Sequence, residues 1–198
     1  MIPLVSSADE VSRALAVIDQ VFEEFGTRLP VVTMIETPRA SLLAGEIAPL
    51  IDFFSFGTND LTQLTYGVSR DDAGHFLPRY LDDRTFEYDP TERLDEASVG
   101  RLLKIAVEEG RAANPELKLG LRGEHGGEAR SVRFVNRLGL DYVSASPFRV
   151  LTARLAAAQA ALRGTQTECL NAQVAVGATA GLCLQYPTGC STFSELFT

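Results

Sequence analysis

The sequence predicts an α/β fold built on a parallel sheet, and two observations carry that expectation. Short runs that are apolar throughout, such as VVTMIE (31–36) and FFSFGT (53–58), alternate with segments of helical periodicity. Strands without polar alternation belong to sheets covered on both faces, and helices between them supply the cover. The composition agrees: hydrophobic residues make up 45% and charged ones 22%, a globular balance rather than a disordered one. At 198 residues the chain is long enough for one sizeable core.

The first apolar run, IPLVS (2–6), reads as a buried strand. Ser7-Ala8-Asp9-Glu10 follows as a capping box, and Val11, Leu15, Ile18, Phe22 and Phe25 then recur at helical spacing until Gly26. VVTMIE is the second strand. Thr37-Pro38 opens a helix with proline in its first turn, and FFSFGT is the third strand. Residues 69–94 lack clean periodicity and are rich in charge, a length that suits a functional excursion more than a connector. Asp95 is the expected cap of the next helix, with Val99, Leu102, Leu103 and Ala106 inward and Asn114-Pro115 as its stop. LGLRGE (119–124) is the fourth strand, a short helix covers about 128–138, and DYVSAS (141–146) is the fifth. Pro147 begins a last helix. Beyond it, residues 163–198 carry almost no charge and no sustained period, so this tail is expected outside the core and is a candidate for disorder.

A net charge of −8 and a pI near 4.8 argue against nucleic acid as a partner, since neutralising phosphates needs a basic face. No apolar run approaches the roughly 20 residues of a membrane span. The N-terminus, MIPLVSSADE, has neither the basic nor the apolar region of a secretory signal, which leads us to expect a cytoplasmic protein. Cys169, Cys183 and Cys190 all fall near the C-terminus without metal spacing and read as free thiols.

Ligands of parallel α/β folds meet the C-terminal ends of the strands. Glu36 closes the second strand and Asp60 follows the third, so each carboxylate can point into one crevice. Hard oxygen ligands with room for water and substrate oxygens suit Mg2+. The competing reading makes Asp60 a helix cap and Glu36 a surface charge. Gly57, Thr58 and Asn59 add backbone access, a hydroxyl and an amide that can orient an oxyanion. A second glycine-rich loop, GEHGGE (123–128), surrounds His125; His75, in the charged excursion, ranks below it.

Taken together, TMIETPRA, FFSFGTNDLTQLTYGVSRDDAGHFLPRYL, GRAANPELKLGL-GEHGGE and GLDYVSASPFRVLTARLAAAQAAL closely resemble the C-terminal part of the pyruvate, phosphate dikinase family, within the enzymes that use phosphoenolpyruvate. GTNDL fits the wider group, and SRDDAGHFLPRYL selects the dikinases. The resemblance covers residues 1–162. It implies a (β/α)8 barrel, of which about five βα units, the fourth to the eighth, stand in this sequence. It also implies interconversion of pyruvate and phosphoenolpyruvate through a Mg-stabilised enolate, with the phosphoryl group delivered from a phosphohistidine on another domain. By position, Glu36 and Asp60 resemble the family's Mg2+ ligands, and Gly57, Thr58, Asn59 and Asp60, with Glu36, its substrate contacts. ATP and phosphate act on domains that have no counterpart here, and full-length members are homodimers.

The sequence departs from the family pattern at Arg122. There the family carries a cysteine that exchanges the C3 proton of pyruvate. A guanidinium stays protonated at physiological pH and cannot replace it, which leaves His125 as the nearby titratable group. Two readings follow. The chain is the phosphoenolpyruvate/pyruvate-binding part of a dikinase, inactive by itself; alternatively it is a non-catalytic binding module that keeps only the metal-enolate half-site.

Overall fold

The apolar runs supply a sheet whose strands all pair in parallel. The computed structural model describes residues 1–163 and 173–176. Strands β1 (Val32–Ile35), β2 (Phe53–Gly57), β3 (Lys118–Arg122), β4 (Tyr142–Ala145) and β5 (Gln173–Val176) follow one another across the sheet in chain order. A doubly wound sheet reverses its order at a switch point, whereas winding in one direction is that of a barrel wall. The fold is therefore α/β, with the sheet as part of a (β/α)8-type barrel. Helices α1 (Ala8–Phe25), α2 (Pro38–Leu42), α3 (Ala44–Ile47), α4 (Thr58–Tyr66), α5 (Arg70–Asp82), α6 (Val99–Ala113), α7 (Ala129–Arg137) and α8 (Val150–Arg163) lie between or beside the strands.

Side-chain alternation separates the two faces of the sheet. Phe54, Phe56, Leu119 and Leu121 are fully buried in the main core with Leu103 and Ala106 of α6. Gly110 of α6 leaves room for the Phe54 ring, which a Cβ there would approach to 2.9 Å. The opposite face carries Ser55, Gly57, Gly120 and Arg122, smaller or more polar residues that line the inner side of the wall.

Four elements differ from the sequence expectation. The run at 2–6 is not a strand: it contributes one isolated bridge, Ile2 to Thr33, with Ile2 N donating to Val32 O (2.7 Å) and Met34 N to Ile2 O (2.8 Å). Pro3 has no N–H to continue the ladder, and Leu4, at φ 49°, turns the chain over the strand ends. The excursion at 69–94 contains a helix, α5. Ser69 caps it by accepting from Asp71 N (3.2 Å), and Asp71 and Asp72 suit the positive end of its dipole. Only Ala73 and Leu77 are buried on it, a stripe too narrow to read as periodicity. Asp95 does not cap α6; it accepts from Ala97 N and the Ser98 hydroxyl in the turn before Val99. The chain after Arg163 supplies β5, parallel to β4 with Val174 opposite Val143. The three cysteines and the expected disorder of most of that tail lie outside the described residues.

Other signals hold. Ser7 caps α1 by accepting from Glu10 N (3.4 Å), and Gly26 ends it at φ 62°. The Glu10 carboxylate reaches Ser6 N (2.6 Å) rather than Ser7, so the capping box is shifted by one residue. Of the five residues on the apolar stripe of α1 only Val11 is buried, and Phe25 is 73% exposed.

Candidate functional site

Glu36 follows β1 by one residue and is 1% exposed. Its Oε1 accepts from Leu4 N (2.7 Å), a bond made possible by the turn at Leu4. Its Oε2 is buried and has no hydrogen-bond partner. Burial pushes its carboxyl above the usual carboxylate range; the Leu4 N–H opposes that shift, the neighbouring Asp60 reinforces it, and the Arg122 cation counters it. A buried carboxylate oxygen beside a second carboxylate is costly unless the pair takes up a proton or a cation joins the two.

Asp60 is the third residue of α4, half-buried, with Oδ1 accepting from Gln63 Nε2 (3.3 Å). Gly57, not Asp60, occupies the N-cap position of α4, and no side chain caps that helix. The reading of Asp60 as a cap is therefore corrected, as is that of Glu36 as a surface charge. Gly57 has a role the sequence did not suggest. A Cβ there would collide with Glu36 Oε2 and come within 2.8 Å of Glu36 Cβ and 2.9 Å of Met34 Cε, so the glycine admits a carboxylate of the chain itself.

Thr58 is fully buried, and its Oγ1 lies 2.8 Å from His125 Nδ1 and 3.2 Å from Arg122 O. His125 is also fully buried, with Nε2 3.0 Å from Pro90 O. A carbonyl only accepts, so Nε2 carries the hydrogen. Burial holds the ring's pKa below its ordinary value, although the bond to Pro90 opposes this, and in the neutral ring Nδ1 accepts from the Thr58 hydroxyl. His125 is thus a strut that ties the segment after β3 to the start of α4 and to the chain at Pro90, closed off from solvent. Asn59 adds a second tie: its Oδ1 accepts from Glu124 N (3.2 Å). Gly123, at φ 113°, permits this approach, since a Cβ there would sit 2.8 Å from that oxygen.

Arg122 ends β3 opposite Gly57 in the register and is exposed. Its Nη1 lies 3.6 Å from both Met1 Sδ and Met34 Sδ, and among the described residues no carboxylate is within ion-pair distance. A cleft of about 380 Å³ opens beside Asp60, between Leu4, Gln63 and Ser69. His75 is exposed on α5 and takes no part.

The strand ends thus bring Glu36, Gly57, Thr58, Asn59, Asp60 and Arg122 to one rim, with His125 behind it. Sequence reasoning missed Leu4, whose main-chain N–H holds Glu36 and which no side-chain pattern marks. It also missed Gln63, three residues after Asp60 on one helix face, where the spacing was visible. Among the described residues no group of three or more His, Cys, Asp or Glu forms a metal cage. Two hard carboxylates with one orphaned buried oxygen nevertheless fit Mg2+, which keeps most of its positions for water and substrate.

Residues 1–162 match the family described as PEP-utilising enzyme, PEP-binding domain. The chain is 56% identical over 165 residues to "Pyruvate, phosphate dikinase, chloroplastic" of Flaveria trinervia, which covers 80% of this chain and 17% of that protein. It is 55% identical over 168 residues to "Pyruvate, phosphate dikinase 1, chloroplastic" of Oryza sativa subsp. japonica, covering 82% and 18%. The corresponding protein of Arabidopsis thaliana is 56% identical over 165 residues, covering 80% and 17%. The chain therefore spans less than a fifth of the length of these curated relatives. No helix among the described residues is long and apolar enough to cross a membrane. With a wall of parallel strands, a carboxylate pair at their ends and a family match across 1–162, the chain belongs to the PEP-utilising enzymes, as a PEP-binding domain.

Proposed function

We propose that this chain is the phosphoenolpyruvate/pyruvate-binding part of a pyruvate, phosphate dikinase, with Glu36 and Asp60 as its Mg2+ ligands. The observation that carries the reading is Glu36 Oε2, buried and unpartnered beside Asp60, at the rim where parallel strands end. Mg2+ bound there supplies Lewis-acid stabilisation of the negative charge that develops on the substrate oxygen when pyruvate loses its C3 proton. The residues of the chain prepare that site. Leu4 N fixes Glu36 Oε1 and leaves Oε2 free, while Gln63 orients Asp60. Thr58 and Asn59 tie the start of α4 to the segment after β3, which holds this part of the rim in a fixed place. The phosphoryl group comes from a phosphohistidine on another domain, and the working enzyme is a cytoplasmic homodimer whose ATP and phosphate chemistry lies outside these residues.

Arg122 favours a second reading. At the place of the family's proton-exchanging cysteine it cannot give or take a proton, and the buried His125 has both ring nitrogens engaged. On that reading the chain binds the substrate and does no chemistry.

Calorimetry of oxalate, a flat mimic of the enolate, tests the metal site. Native chain is expected to bind oxalate only with Mg2+, and Glu36→Ala and Asp60→Ala each to abolish that binding in a chain whose circular dichroism is unchanged. Undiminished binding in either variant removes that residue from the site.

A further inference from the structure

Arg122 places a cation on this rim, and its donors are poorly used. It stands on the inner face of the wall, in register with Gly57 and hence beside the carboxylates. Its contacts are two thioether sulfurs at 3.6 Å, which are weak acceptors. The guanidinium is exposed, and a fork of five N–H donors suits a phosphoryl group better than any acceptor it meets here. The neighbouring helix, α4, begins at Thr58 with no side-chain cap, so unspent N–H groups lie on the same rim. Glu36 and Asp60 by themselves repel an anionic ligand, and a fixed cation next to them offsets that repulsion.

We infer that Arg122 is an anion-recognition residue of this site, gripping a phosphoryl group on a ligand whose carboxylate end meets the Glu36–Asp60 centre. The inference deepens the proposed function and rests on its reading of that centre. The arginine acts here as a binding residue and takes no part in proton transfer. It makes the site selective for phosphorylated carboxylates over their unphosphorylated counterparts.

The test compares phosphoenolpyruvate with oxalate by calorimetry in Mg2+ buffer, on native chain, Arg122→Gln and Arg122→Lys. The expected result is a loss of phosphoenolpyruvate affinity of about tenfold or more in Arg122→Gln, the scale of a charge-assisted bidentate contact. Arg122→Lys should fall between, because it keeps the charge and loses the fork. Oxalate, which has no phosphoryl group, should lose much less in Arg122→Gln than phosphoenolpyruvate does, since only the general offset of charge is removed. Equal phosphoenolpyruvate affinity in native chain and Arg122→Gln overturns the inference and leaves the metal reading standing. No phosphoenolpyruvate binding by native chain overturns it too, as does an equal loss for both ligands, which would place the arginine on the carboxylate end. Oxalate binding that ignores Mg2+, with phosphoenolpyruvate still weakened in Arg122→Gln, overturns the metal reading and keeps the inference.

Discussion

Gly57 and His125 show how single residues set the geometry of this rim. Adding a methyl group at Gly57 forces it onto Glu36 Oε2 and the Met34 methyl. Gly57→Ala should therefore destabilise the chain by about 1–3 kcal/mol, the usual cost of overpacking, and weaken Mg2+-dependent oxalate binding. Gly74→Ala is the control, since a Cβ there meets nothing within 4 Å. Thermal melts and calorimetry on both variants check this. His125 predicts a pH dependence. Its folded pKa lies below the ordinary 6.5, because burial disfavours the charged ring. The unfolded chain takes up the proton first as pH falls, so stability present above about pH 6.5 is lost as pH drops toward the folded value. Denaturant midpoints measured between about pH 7.5 and 5 should show that decline, and His125→Gln should flatten it. The same substitution should cost about 1–3 kcal/mol at neutral pH, since the buried Pro90 carbonyl loses the ring N–H and the Thr58 hydroxyl keeps only Arg122 O.

Among the elements, α4 and α5 are joined through Gln63. Its Nε2 donates to Asp60 Oδ1 (3.3 Å) and its Oε1 accepts from Arg70 N (2.8 Å), the first residue of α5. One side chain thus ties the carboxylate at the rim to the start of the charged excursion. Gln63→Ala should weaken Mg2+-dependent oxalate binding severalfold while leaving most of the stability intact, because the residue is only half-buried. Gln63→Glu should bind no better, since a third carboxylate loses the donor that Asp60 uses. Ser69→Ala removes the cap of α5, and a cost of about 1 kcal/mol is expected in melts. Neither change touches β2, so the sheet should remain as it is.

Across the whole molecule, burial is uneven. The core around Phe54, Phe56, Leu103 and Leu119 is closed, whereas Phe148, Leu151 and Leu155 around the start of α8 are 98%, 82% and 61% exposed. Exposed apolar stripes of this kind favour self-association. Phe148→Ser with Leu151→Ser should raise the concentration at which the chain stays monodisperse in light scattering. Its stability should change by no more than about 0.5 kcal/mol, as for other surface substitutions. At this scale too, the 198-residue chain is expected to form no phosphoenolpyruvate from pyruvate, ATP and phosphate. A guanidinium is a poor general acid or base, and His125 is closed to solvent. Detection of turnover by a coupled assay would refute that expectation.

Apolar runs and caps made much of this architecture legible in the sequence. VVTMIE, FFSFGT, LGLRGE and DYVSAS each hold a strand, and Ser7, Gly26, Thr37 and Asn114 each mark a helix end, because strand burial and capping depend on neighbours a few residues away. Glu36 and Asp60 could be placed at strand ends by the same local rules. The narrow stripe of α5, the bridge at Ile2 and strand β5 escaped, since each depends on what the chain packs against rather than on its own period. Local pattern could not say that Glu36 is buried with one oxygen unpartnered, or that Gly57 is small to admit it. Nor could it say that His125 is a strut. Those facts rest on contacts between residues far apart in the chain: Leu4 with Glu36, Thr58 with His125, Gly57 with Arg122. The sequence by itself determined the elements and the chemical groups; the tertiary structure decided which of those groups share a space, and so their charge and their work, because burial and electrostatics depend on distance in space.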